Sequence, residues 1–154
     1  MSLKVDTLNV NYIIDGKISV IPTKILYEQI DENEFQNIHF EVSMNNHHIQ
    51  SKLTDSIEYA IKILQKELPN YIGIACCQSC RHGNFNPFGD LENEVFCLKE
   101  MTPQNRDDVV KIFSKQDISF QTRSRKLLDY CKDYKPISDD EKYTYNDWGL
   151  EDLS

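Results

Sequence analysis

Apolar and polar residues alternate through most of the first 44 residues, and this two-residue period predicts β-strands with one buried face. Residues 8–14 form one alternating run, and residues 38–44 form another. Asp15-Gly16 separates the first run from residues 17–21, and this dipeptide favours a two-residue hairpin because both turn positions need positive φ. We therefore expect three antiparallel strands in this region, joined as a meander.

Helical periodicity begins after this β region. Residues 54–67 place their apolar side chains on one stripe, with a threonine suited to the N-cap and Pro69 suited to end the helix. Thr102-Pro103 predicts the start of a second helix, because threonine is a favoured N-cap and proline suits the first helical position. The apolar spacing over 122–133 predicts a third helix.

Two short apolar runs, 71–76 and 94–100, predict a fourth and a fifth strand. The sequence therefore indicates an α+β fold, with a mostly antiparallel sheet of about five strands packed by two to three helices. We expect residues 1–135 to form a single domain, because 154 residues suit one domain. Residues 136–154 are acidic and polar, and we expect them to form a partly flexible C-terminal arm.

Acidic residues outnumber basic ones, 25 against 17, and the formal net charge is −8. Nucleic-acid binding requires basic patches, so we expect no nucleic-acid partner and no attraction to anionic membranes. A basic protein partner fits the sign of the charge, although an acidic surface also serves ordinary solubility. We see neither an apolar run long enough to span a bilayer nor a signal-peptide pattern, and we therefore expect a cytoplasmic protein.

The five cysteines carry the clearest chemical signal in the chain. A reducing cytoplasm disfavours structural disulfides, and an odd number of cysteines weakens a disulfide framework further. Cys77 and Cys80 form a C-x-x-C pair, which suits a tight turn around one tetrahedral Zn²⁺. A closed structural zinc site needs four ligands. We therefore predict a zinc knuckle between the fourth and fifth strands, which pins the C-terminal helices to the sheet, with the ligands Cys77, Cys80, Cys97 and Cys131.

Other assignments of these side chains stay open. Cys76 or His82 could replace one of the four ligands, because each lies next to the C-x-x-C pair or just after it. Cys97 and Cys131 could instead be small core side chains, since free cysteine is among the most buried residue types. Gly83 supplies the small residue that a metal-binding turn needs just after its second cysteine.

Reactive cysteines are a further alternative. A C-x-x-C pair lowers a thiol pKa at a helix N-terminus, but Cys80 precedes a loop rich in Gly, Asn and Pro, which argues against a redox role. A nucleophilic Cys76 or Cys77, with His82 or His39 as its base, would be a different kind of site.

The stretch 77–89, CQSCRHGNFNPFG, followed by residues 96–98, resembles a group of small uncharacterised bacterial proteins. These proteins share a C-x-x-C pair, an aromatic-x-Pro-aromatic-Gly loop and a further cysteine after a short gap. The resemblance implies that the cysteines and the loop act as one unit. Phe85 and Phe88 would pack over the knuckle, and Gly89 would close the turn; alternatively, the two aromatic side chains are exposed and bind a ligand.

Two classes of function are compatible with these features. The first is a non-enzymatic binding or accessory module of the immunity-protein type, with an acidic surface and a structural zinc. The second is a zinc-dependent enzyme in which Cys77, Cys80 and Cys97 hold the metal and a water takes the fourth position, with Glu94 or His82 as general base. We favour the non-enzymatic module, because the chain shows neither a phosphate-binding glycine loop nor a Ser-His-Asp pattern.

Overall fold

A computed structural model describes residues 2–32, 34–88, 94–115, 122–137, 142–146 and 148. The chain divides into two compact units, the first running to Ile74 and the second starting at Ala75. Across the described residues, antiparallel strands and two α-helices make up these units, which confirms the α+β class with a mostly antiparallel sheet. The single domain over 1–135 stays a prediction, and Gly89 and much of the predicted arm lie outside the described residues.

The first unit is a five-stranded antiparallel sheet with one helix. Its elements are β1 (Ser2–Ile14), β2 (Lys17–Asp31), β3 (Glu34–Met44), β4 (His47–Gln50), α1 (Ile57–Glu67) and β5 (Ile72–Ile74). The strand order is β4-β3-β2-β1-β5, so the chain forms the predicted meander and then adds β5 beside β1.

Two-residue turns with positive φ set the strand pairing of this sheet. Asp15 and Gly16 have φ of 52° and 82°, and they join β1 to β2, which confirms the predicted hairpin. Asn45 and Asn46 make the same kind of turn between β3 and β4, with φ of 47° and 65°. Both turns twist the backbone in the sense that the flanking strands require.

Helix α1 covers one face of the sheet through β3. The predicted apolar stripe is confirmed, because Ala60, Ile61 and Leu64 are buried. The helix begins three residues later than predicted. Ser56 is the N-cap and accepts a hydrogen bond from the Tyr59 N–H, whereas Thr54 pairs with the backbone of β3 instead.

The second unit contains a separate three-stranded antiparallel sheet in the order β6-β7-β8. Its elements are a 3₁₀ turn (Cys77–Ser79), β6 (Gly83–Asn84), β7 (Glu94–Cys97), α2 (Arg106–Ser114) and β8 (Ser124–Lys126). The predicted fifth strand is β7, and it belongs to this second sheet. Its neighbours are β6 and β8. The prediction of one sheet that contains both the fourth and the fifth strand is therefore wrong.

In the second unit, one predicted helix is absent and the other starts later than predicted. The segment 122–133 is not a helix: Ser124–Lys126 pairs with β7, and turns follow. Helix α2 starts at Arg106 and not at Pro103. Asn105 is its N-cap, and the Asn105 Oδ1 accepts from the Asp108 N–H at 2.9 Å.

The core of the second unit is aromatic and aliphatic. Phe96 and Phe113 meet edge to face with ring centroids 5.3 Å apart, and Leu98 and Val109 are fully buried beside them. Residues 142–146, which fall within the predicted arm, pack against this unit. Among the described residues, no helix is long and apolar enough to cross a membrane.

Candidate metal centre

The C-x-x-C pair lies on a tight turn at the start of the second unit. The Cys80 N–H donates to the Cys77 carbonyl at 3.4 Å, and the Gly83 N–H donates to the Cys80 carbonyl at 2.9 Å. Gly83 approaches the turn so closely that an added Cβ would overlap the Cys77 carbonyl oxygen and lie 3.2 Å from its carbon. The prediction that a small residue is needed here is confirmed, and the physical reason is backbone proximity and not a positive φ.

The Cys80 thiol is buried, and burial is the main influence on its pKa. The pKa of Cys80 is raised, mainly by burial, while hydrogen bonds from the N–H groups of Lys135 and His82 act in the opposite direction. N–H groups directed at a sulfur stabilise a thiolate.

Cys77 lies in an environment that disfavours a lone thiolate. Burial raises the pKa of Cys77 to about 12, and the neighbouring thiols of Cys76, Cys80 and Cys131, together with Asp129, add to the rise. Several sulfurs close together repel one another once they are ionised, and a bound divalent cation reverses this effect.

The two remaining predicted ligands come from other segments of the second unit. Cys97 ends β7, directly opposite Gly83 in β6, and its N–H donates to the Arg123 carbonyl at 2.8 Å. Cys131 follows β8, and its carbonyl accepts from the Tyr134 N–H at 3.0 Å. Cys97 is half-buried, whereas Cys131 is exposed.

All four predicted cysteines line one cavity of about 210 Å³ within the second unit. The other lining residues are His82, Gly83, Val95, Lys99, Arg125, Asp129 and Tyr130. Zinc–sulfur bonds of about 2.3 Å place tetrahedral ligand sulfurs about 3.8 Å apart. Among the described residues, no group of three or more His, Cys, Asp or Glu side chains is arranged to bind a metal ion.

Cys76 and His82, the two alternative ligands, differ in position. Cys76 is fully buried and does not line the cavity. Its sulfur lies 3.7 Å from the Ser79 Oγ, and burial raises its pKa to about 11. His82 lines the cavity, and its buried Nδ1 has no hydrogen-bond partner. Burial, with nearby Lys142, lowers the pKa of His82 to about 4, so the imidazole is neutral and able to bind a metal.

The redox and nucleophilic alternatives gain no support from this geometry. Cys77 begins a three-residue 3₁₀ turn and Cys80 directly follows it, and the pKa values of Cys76, Cys77 and Cys80 are all raised. Reactive cysteines have lowered pKa values.

Two ion pairs involve residues close to Cys97 in the chain, and one of them includes Lys99, which lines the cavity. Lys99, just after β7, forms an ion pair of 3.0 Å with Asp133, two residues after Cys131. Arg123 donates to the Cys97 carbonyl at 3.2 Å and pairs with Glu100 at 3.1 Å. Sequence analysis did not single out Lys99 or Asp133, because they are 34 positions apart and nothing local signals the pair.

Comparison with known proteins adds no relative. No protein-family model matches the chain, and neither a curated protein nor a solved structure matches it. The resemblance to small bacterial proteins with a C-x-x-C and aromatic-x-Pro-aromatic-Gly pattern therefore stays a prediction.

Proposed function

We propose that the second unit binds one structural Zn²⁺ through Cys77, Cys80, Cys97 and Cys131. The observation that carries this proposal is the shared cavity, because three separate chain segments bring these four cysteines to it. Thiolate is the ligand type that favours zinc in closed tetrahedral sites, whereas Mg²⁺ and Ca²⁺ prefer oxygen.

The role of this zinc is structural. The four ligands span residues 77–131, so a bound ion would cross-link the C-x-x-C turn, β7 and the segment after β8. Sites of this kind are not assembled in the unfolded chain, so their binding free energy contributes directly to folding. The second unit is small, and its apolar core is correspondingly limited.

With a closed metal site, the protein acts as a non-enzymatic binding or accessory module in the bacterial cytoplasm, of the immunity-protein type. A basic protein is the partner class that the net charge of −8 favours. Phe88 adds an exposed aromatic side chain, 56% accessible, on the loop that follows the C-x-x-C turn. An exposed aromatic side chain on a protein of net negative charge suits recognition of a partner through one apolar anchor.

Metal content and cobalt spectroscopy test the zinc site. The purified protein is expected to contain one zinc per chain, and Co²⁺ substitution is expected to give the intense sulfur-to-cobalt absorption of thiolate ligands. Single alanine replacements of Cys77, Cys80, Cys97 or Cys131 are expected to reduce this absorption. Cys76→Ala is the matched control and is expected to preserve it, because Cys76 does not line the cavity. A chain that binds neither ion, or a Cys97→Ala variant with full absorption, contradicts the proposal.

The position of His82 favours a second candidate, a zinc enzyme with an open metal position. Its neutral imidazole lines the cavity, while the exposed Cys131 is the ligand easiest to displace. Cys77, Cys80 and Cys97 would then hold the ion, and His82 would act as a base toward a zinc-bound water. The other proposed base, Glu94, hydrogen-bonds Ser124 and does not line the cavity.

Cobalt coordination separates the two candidates. A closed site requires Cys131→Ala to change the cobalt spectrum from four thiolates to three. An open site predicts that the same variant keeps both its affinity and its spectrum.

A further inference from the structure

We propose that the open edge of strand β1 pairs with the same edge of a second copy of this chain, so that two five-stranded sheets join into one antiparallel sheet. The paired segment is residues 2–8, and Val5 lies on the two-fold axis. This interface belongs to the first unit, so it does not depend on the zinc site.

Strand β1 has an open edge along most of its length. It pairs with β2 over all of its residues, whereas β5 pairs with it only at residues 12–14. Within the part of the chain that the structure describes, residues 2–11 have no strand partner on the β5 side. Lys4, Val5 and Asp6 are exposed, so this segment is accessible. An open backbone edge of this length is a template for pairing with another strand.

The hairpin turn determines which backbone groups point to this edge. Ile14 and Lys17 flank the two-residue turn and form the first hydrogen-bonded pair of the hairpin. Because the hydrogen-bonding direction alternates along an antiparallel strand, odd-numbered residues of β1 direct their N–H and C=O groups away from β2. The Asp15 N–H agrees with this assignment, because it donates to the Tyr71 carbonyl, just before β5, at 3.5 Å. The outward-directed residues of the open segment are Leu3, Val5, Thr7, Asn9 and Asn11.

The edge of β1 lacks three features that commonly protect a sheet edge: short strand length, proline and a bulge. The outer strands β4 and β5 are only four and three residues long. Strand β2 also extends beyond its neighbour β3, but that part contains Pro22, which has no N–H to offer a further strand. Strand β1 is 13 residues long, contains no proline and keeps one register with β2 throughout.

The charges of the open segment favour a second copy as the partner. An antiparallel pair centred on Val5 places Lys4 of each copy opposite Asp6 of the other. Opposite charges on facing residues stabilise a strand pair, whereas like charges destabilise it. A pair centred on Lys4 or on Asp6 would place like charges opposite each other, and a pair centred on Thr7 would place both charges opposite apolar residues. The register centred on Val5 is therefore the one that the charges favour.

The same register brings exposed apolar side chains together. Leu3 and Val5 are 68% and 51% exposed, and they lie on one face of the sheet because they are two positions apart. Leu26 of β2 lies opposite Val5 on that face. In the proposed dimer, Val5 faces Val5 of the second copy and Leu3 faces its Thr7, in hydrogen-bonded pairs. Apolar surface that each chain alone leaves in water is then partly covered, which favours association.

Sedimentation velocity of the full chain in excess zinc tests the dimer. Because an interface built on one strand pair is small for a specific complex, we expect a weak dimer that becomes populated between about 10 µM and about 1 mM. An unaltered protein that stays monomeric over this range overturns the proposal, whether or not it binds zinc.

A proline substitution tests whether the dimer uses this edge. Val5→Pro removes an N–H that points to the open edge and leaves the hydrogen bonds to β2 in place. We expect association about 10- to 30-fold weaker, because the dimer loses one hydrogen bond from each copy. Asn9→Pro is the matched control, because its N–H also points outward but lies outside residues 2–8, and it should dimerise like the unaltered protein. Equal association of the two folded variants would show that the dimer forms elsewhere and would refute the proposal.

Charge reversal tests the register without proline and decides the matter if Val5→Pro does not fold. Lys4→Asp and Asp6→Lys each place like charges opposite each other, so each variant alone should associate about tenfold more weakly. An equimolar mixture of the two variants pairs opposite charges and should form a heterodimer. Tyr27→Phe is the control for Asp6→Lys, because it removes the 3.0 Å hydrogen bond from the Tyr27 hydroxyl to Asp6 without changing a charge. A mixture that associates no better than the separate variants contradicts the proposal.

Discussion

Replacing Gly83 with alanine is expected to destabilise the second unit strongly. The added Cβ would overlap the carbonyl oxygen of Cys77, and the nearest other atoms are also backbone, including the Cys80 carbonyl oxygen at 3.4 Å. Flexible side chains could move aside, but this turn is held by its own hydrogen bonds. Relief of the overlap therefore requires β6 and the C-x-x-C turn to move apart.

The size of the effect follows from what that movement breaks. Overpacking in a rigid site costs about 1 to 3 kcal/mol. Separation also weakens the Gly83–Cys80 hydrogen bond of 2.9 Å and the Asn146–Gly83 hydrogen bond of 3.0 Å, each worth about 1 kcal/mol. We expect a total loss of about 3 to 5 kcal/mol, a large part of the stability of a small unit.

Gly73→Ala is the matched control for this substitution. Gly73 lies in β5, where the nearest atom to an added Cβ is the Gln65 Oε1 at 4.0 Å, an ordinary contact. Its φ also lies outside the left-handed region. We therefore expect its stability to stay within about 1 kcal/mol of the unaltered protein, with any change toward greater stability.

Urea unfolding in the same excess of zinc measures both variants. Trp148 is the only tryptophan and lies in the second unit, so its fluorescence follows the unit that contains Gly83. Far-UV circular dichroism follows both units and provides the comparison for Gly73→Ala. Equal unfolding midpoints for Gly83→Ala and Gly73→Ala would refute the packing argument.

Four further predictions test other parts of the molecule. Gly16→Ala should cost about 1 kcal/mol although nothing lies near an added Cβ, because φ is +82°; unchanged urea midpoints would contradict this. Tyr12→Phe removes a buried 2.7 Å hydrogen bond to Thr23 and should cost about 1 to 2 kcal/mol by the same assay. Asn105→Ala removes the N-cap of α2 and should lower the free energy of unfolding by about 1 kcal/mol, whereas Asn105→Ser keeps a capping side chain and should retain most of that stability. Zinc affinity should fall as pH is lowered from about 8 to about 6, because thiols such as Cys77 must lose protons to bind; a pH-independent chelator titration would rule out thiolate ligation.

The local features of the fold were predictable from the sequence. Asp15-Gly16 predicted its hairpin correctly, because a two-residue turn with positive φ depends on those two residues alone. The alternation in residues 38–44 and the apolar stripe of α1 also placed buried side chains correctly. Each of these patterns depends on a few neighbouring positions. Interactions with distant segments therefore have little influence on the structure they predict.

Sequence patterns gave wrong predictions where a segment distant in the chain supplied a competing backbone interaction. Residues 122–133 have helical spacing, yet Ser124–Lys126 forms a strand because β7 offers it backbone hydrogen bonds. Thr54 has the chemistry of an N-cap, but pairing with β3 engages its backbone and leaves Ser56 to cap α1. Propensity is a weak preference of less than about 1 kcal/mol per residue, so one tertiary pairing reverses it.

The candidate site shows the same division between sequence and tertiary structure. By itself, the sequence determined the C-x-x-C turn and its need for a small residue at Gly83, because these depend on short-range backbone geometry. Only the tertiary structure brought Cys97 and Cys131 to the same cavity as Cys77 and Cys80. Spacing along the chain carries no information about such contacts, since they form where β-strand pairing and core packing fold distant segments back onto one another.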